Sequence, residues 1–102
     1  MPPKLFSIDE IKSTVTEVAK KYGIAKAYLF GSYAKGIADT NSDIDLRIDK
    51  GQLRGLFQLS GFKIDLQERL GTNVDVVTTQ SLEASFLNLI RNEEVVLYEQ
   101  GS

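Results

Sequence analysis

The sequence predicts an α+β fold in α/β layers: a small three- to four-stranded mixed sheet with helices packed on one face. Two observations carry that prediction. Stretches of helical spacing and of strand alternation follow one another in the order α, β, short α, β, α, β, α, β. Glycines stand where one pattern gives way to the next, at Gly23, Gly31, Gly36 and Gly71. A length of 102 residues, with 42% hydrophobic and 25% charged residues, suits one globular domain over 1–102 with a core of its own.

The first helix is expected over 7–22. Ser7 followed by Glu10 fits a capping box, and Ile8, Ile11, Val15, Val18, Ala19 and Tyr22 form one apolar stripe. Lys20 and Lys21 suit its C-terminal end, and Gly23 stops it. "AKAYLF" (25–30) reads as a strand, and Ser32 is expected to cap a short helix over 32–36. Along 43–49, Ile44, Leu46 and Ile48 face one way while Asp43, Asp45, Arg47 and Asp49 face the other. Residues 53–70 carry a helical pattern, and Gly55 and Gly61 predict that it is broken. The β-branched run at 74–78 is a strand with Asp75 inside it, 82–91 is an amphipathic helix, and 95–99 is the last strand.

Composition narrows the chemistry. The chain has no cysteine and no histidine, which removes disulfides, thiolate metal sites and any Ser-His-Asp arrangement. Catalysis would rest on carboxylates, Lys, Ser, Tyr or a hard metal. The net charge of −2 argues against direct nucleic-acid binding. The first residues do not read as a signal peptide, no run is long enough for a membrane span, and a cytoplasmic protein is expected.

"GSYAKGIADTNSDIDL" (31–46) concentrates the unusual features. Asp43 and Asp45 lie at i and i+2 of a strand, so both carboxylates leave one face about 6–7 Å apart at Cα. Two such groups repel when ionised, and Mg²⁺ resolves the conflict with oxygen ligands alone. Asp75, inside an apolar strand, needs a partner or a ligand. If its strand neighbours 43–49, three carboxylates gather, enough for two metal ions in phosphoryl transfer. Gly31 lets the backbone approach a ligand closely, Ser32 opens a helix whose N–H groups can hold an anion, and Lys35 can neutralise a phosphate. Taken singly, each feature has an ordinary reading as a cap, a solvated face or an edge residue; together they outline a nucleoside-triphosphate site.

Other motifs fit less well. Gly31 and Gly36 have the outer spacing of a P-loop, but Ile37 and Ala38 stand where Lys and Ser/Thr are required. An aspartate-nucleophile phosphatase also uses D-x-D after a strand, yet Arg47 follows Leu46 where Thr or Val is usual.

The stretch 31–48 resembles the signature G-S-x-A-R-G-x(5)-S-D-I-D-L of the minimal nucleotidyltransferases in the DNA polymerase β-like superfamily. Gly31, Ser32, Ala34, Gly36, Ser42, Asp43, Ile44, Asp45 and Leu46 match; Lys35 replaces the usual Arg. "GTNVDVVT" resembles the strand with the family's third carboxylate, here Asp75. The resemblance implies Mg²⁺-dependent transfer of AMP from ATP to a hydroxyl, with pyrophosphate leaving. Asp43, Asp45 and Asp75 would be metal ligands and catalytic residues, and Gly31, Ser32 and Lys35 would bind the nucleotide. Members of this size pair with a helical HEPN-type toxin and act as antitoxins, in some cases by adding AMP to a toxin tyrosine. No acceptor-holding domain is evident in this chain, so such a partner is expected here. The rival reading is a non-catalytic antitoxin that neutralises by contact. A homo-oligomer stays open.

Overall fold

The computed structural model describes residues 4–101. Helix α1 (Ile8–Tyr22) leads into strand β1 (Lys26–Phe30), which runs directly into the short helix α2 (Gly31–Lys35). Then come β2 (Ile44–Asp49), α3 (Gly55–Leu70), β3 (Val74–Thr78), a 3₁₀ turn at Thr79–Ser81, α4 (Ala84–Arg91) and β4 (Val95–Glu99). The four strands form one mixed sheet in the order β3-β2-β1-β4. β1 is antiparallel to β2 and β4, while β2 and β3 are parallel.

The amphipathic reading of α1 holds in detail. The Ser7 hydroxyl accepts from the Glu10 N–H at 3.1 Å and the Glu10 carboxylate accepts from the Ser7 N–H at 3.1 Å, a complete capping box. Ile11, Val15, Val18 and Ala19 are buried against the sheet, together with Phe62 and Leu66 of α3. Ala27 and Leu29 of β1 and Ile44, Leu46 and Ile48 of β2 supply the sheet's side of that core.

Two local expectations change. The pattern at 53–70 is one continuous helix over Gly55–Leu70, because Gly61 is a packing notch rather than a break. A Cβ on Gly61 would lie 3.0 Å from the Tyr22 hydroxyl, whose ring meets Phe62 edge-on. Ser32 does not cap α2: Phe30 occupies the cap position without a side-chain hydrogen bond, and the helix begins at Gly31. Gly31 adopts φ +73, which turns the chain one residue earlier than the Ser32 cap requires.

The opposite face of the sheet is partly covered too. Phe86 of α4 meets Phe30 edge-on at 6.2 Å between ring centres. Beside it Arg47, only 5% exposed, lies over the Tyr28 ring at 3.9 Å. Its guanidinium donates to both carboxylate oxygens of Glu94, at 2.5 and 2.8 Å, and to the Thr79 hydroxyl at 2.7 Å. A buried charge is thereby matched on all sides, and it ties β2 to the segments just after β3 and just before β4.

Candidate active site

Parallel pairing of β2 and β3 brings the carboxylates together. Asp45 stands directly in register with Asp75, and on its other side with Phe30, the last residue of β1. Asp45 is half-buried, Asp75 is exposed, and Asp43 is exposed one residue before β2 begins. Burial raises the proton affinity of Asp45 most; the Asp75 and Asp43 charges and a hydrogen bond with Asp75 add to it, pushing its carboxyl up to about 6.

Gly31 turns out to be part of this arrangement. A Cβ there would lie 2.2 Å from the Asp45 Oδ2 atom, so the glycine leaves the space that the carboxylate fills. The close approach read from the sequence is therefore made first by a side chain of the protein itself. It brings the turn from β1 into α2, with Ser32 in the first helical turn, against the Asp45–Asp75 pair. Tyr33 anchors α2 from beneath: it is buried, and its hydroxyl lies 3.5 Å from the Phe6 N–H.

Asp43 follows a compact turn. The Asp39 N–H donates to the Ser42 hydroxyl at 2.9 Å, and the Asn41 N–H donates to the Asp39 carboxylate at 2.8 Å. Asp39 was not singled out in the sequence, although Asp-Thr-Asn-Ser is a recognisable turn composition. Lys35, at the end of α2, faces Glu93 with its ammonium 3.4 Å from the carboxylate. Glu93 and Glu94 give no local signal, because Arg47 lies 47 positions away from Glu94 in the chain.

Among the described residues, no group of three acidic side chains is placed to hold a metal ion. The arrangement is a close pair, Asp45 and Asp75, with Asp43 near enough to act on Asp45 electrostatically. That donor set fits Mg²⁺, which takes one or two protein carboxylates and completes its shell with water and phosphate oxygens. The crowding that raises the Asp45 carboxyl is the conflict a divalent cation would relieve.

Comparison with known proteins follows the same lines. The model of the family described as polymerase beta, nucleotidyltransferase, matches residues 13–102. A Methanocaldococcus jannaschii protein, provisionally named protein adenylyltransferase MJ0435, is 37% identical over 87% of this chain and 96% of its own. Protein adenylyltransferase MntA of Thermococcus cleftensis is 28% identical over 89% of this chain and 96% of its own. Among solved structures, a chain from a toxin–antitoxin crystal structure with AMP-PNP superimposes with a TM-score of 0.75 at 21% identity, covering 88% of this chain and 74% of that one. A chain from the complex of a tri-AMPylated Shewanella oneidensis HEPN toxin with MNT antitoxin gives 0.70 at 17% identity, covering 91% and 73%. At these identities the two structures speak for the fold. Among the described residues, no helix is long and apolar enough to cross a membrane.

Proposed function

The chain belongs to the polymerase beta nucleotidyltransferase family, and on that premise we propose that it transfers AMP from ATP to a tyrosine hydroxyl of a HEPN-type toxin, acting as its antitoxin. The observation that carries the proposal is the register of Asp45 with Asp75 against the Gly31–Ser32 turn. Acidic groups and the turn from β1 into α2 share one end of the sheet. The protein adenylyltransferase names of the relatives and the AMPylated toxin bound to an antitoxin of the same fold support the choice of reaction and acceptor. The AMP-PNP complex supports a nucleoside triphosphate as the donor.

In this reading Asp43, Asp45 and Asp75 would hold Mg²⁺, two ions in the full site, which when bound neutralises the charge developing on the phosphates. Gly31 and Ser32 present backbone N–H groups to the triphosphate, and Lys35 balances its charge. Asp75 is exposed at the pair's edge, where it can take the proton from the acceptor hydroxyl. The tyrosine oxygen then bonds to the α-phosphorus, the bond from that phosphorus to pyrophosphate breaks, and the proton stays on the carboxylate. A cytoplasmic setting, where ATP is available, belongs to the same proposal.

The test is to incubate the chain with Mg²⁺, ATP labelled at the α-phosphate and a HEPN-type toxin from the same organism. Label on a toxin tyrosine, lost with Asp75→Asn and with Tyr→Phe at the modified position, is the expected result. Full neutralisation of the toxin without label, unaffected by Asp43→Asn and Asp45→Asn, would overturn it in favour of a contact antitoxin.

A further inference from the structure

We propose that Glu93 acts on nucleotide binding through Lys35: it pairs with the ammonium in the free protein and competes with a phosphate group for it. The inference rests on the reading of Lys35 as a phosphate-binding residue. Its basis is how the two side chains are mounted. Lys35 ends α2, whose start packs on Asp45 and whose Tyr33 is buried, so the helix has little freedom to carry Lys35 elsewhere. Glu93 lies in the turn after α4, where its N–H donates to the Ile90 carbonyl at 3.0 Å. The next residue, Glu94, is locked by both of its carboxylate oxygens on buried Arg47.

Consecutive glutamates thus grip two different cations. The Arg47–Glu94 side chains are each 6% exposed, a permanent pair, whereas Lys35 and Glu93 are 45% and 38% exposed. An ion pair this wet is weakly held and exchanges readily. It occupies the ammonium part of the time in the free protein, and a triphosphate, carrying more negative charge than one carboxylate, can displace Glu93.

Calorimetric binding of AMP-PNP with Mg²⁺ to the full chain separates the outcomes, because it does not depend on an acceptor. Glu93→Gln is expected to tighten binding about two- to fivefold, and Lys35→Gln to weaken it. In a Lys35→Gln background, Glu93→Gln should change nothing, since the residue it releases is gone. The ammonium–carboxylate pair is exposed, so none of these variants should lose the fold, which a melting curve checks. Equal tightening in both backgrounds would mean that Glu93 merely adds negative charge near the site, and would overturn the proposal. No tightening by Glu93→Gln in the protein that keeps Lys35 would overturn it as well. If Lys35→Gln leaves affinity untouched, the assignment of Lys35 to phosphate falls too, and the inference with it.

Discussion

Asp45 and Arg47 sit two residues apart on the same face of β2, and the protein treats them in opposite ways. Arg47 is enclosed, stacked on Tyr28 and satisfied by Glu94 and Thr79. Asp45 is only half-buried, and its neighbours are two more carboxylates. One charge is completed within the fold; the other is left with a conflict that the fold does not resolve. The contrast shows where to look for function, since a fold able to match Arg47 so fully had the means to match Asp45. The unsatisfied end of the strand is the end that faces the Gly31–Ser32 turn.

The contrast is sharpened most by breaking the completed pair. Glu94→Gln takes from the buried Arg47 guanidinium its closest counter-charge and leaves only the Asp49 carboxylate, 3.7 Å away, a loss of about 2–3 kcal/mol, which should lower the melting temperature by roughly ten degrees. Gly31→Ala is next. It places a methyl in the position of the Asp45 carboxylate at a backbone angle that alanine tolerates poorly, for a loss of about 2 kcal/mol. Because the displaced group is Asp45 itself, nucleotide transfer should fall by more than the change in stability explains, as kinetics at saturating toxin would show.

Asp45→Asn should act in the other direction. With its folded carboxyl raised to about 6, Asp45 opposes folding when ionised, so the native protein loses stability as pH rises through that value and regains it below the ordinary carboxylate range. The asparagine variant should therefore melt higher by about 1–2 kcal/mol at pH 8, with no gain at pH 4, while losing catalysis. A pH series of melting curves for the two proteins reads this directly. The smallest effect is expected at the exposed start of α1: Ser7→Ala removes half of the capping box, costs about 0.5–1 kcal/mol and leaves transfer unchanged, since Ser7 contributes no group to the carboxylate site.

Most of the fold is legible along the chain because most of its elements are local decisions. The Ser7–Glu10 cap, the stripe on α1 and the alternation of β2 each sit within a few residues. Gly61 misled for the same reason that the others succeeded: the sequence shows a poor helix former, but not Tyr22 packed over it from another helix. The carboxylate site was readable as residue types in order, and Asp75 needed one further fact, that β3 runs beside β2. Nothing local announces that Arg47 is buried or that Glu93 and Glu94 divide Lys35 and Arg47 between them. Those pairings depend on β4 lying next to β1, a contact between distant parts of the chain.

The central claim, that the unfinished end of β2 is a Mg²⁺-nucleotide site, is tested most directly by thermal stability with ATP. Ligand at ten times its Kd stabilises by about 1.4 kcal/mol, a rise of several degrees in a domain this small. The rise should appear with Mg²⁺-ATP, vanish with a chelator, and vanish in the Asp43→Asn, Asp45→Asn double variant. No rise at millimolar Mg²⁺-ATP, or a rise that survives both the chelator and the double variant, would contradict the account.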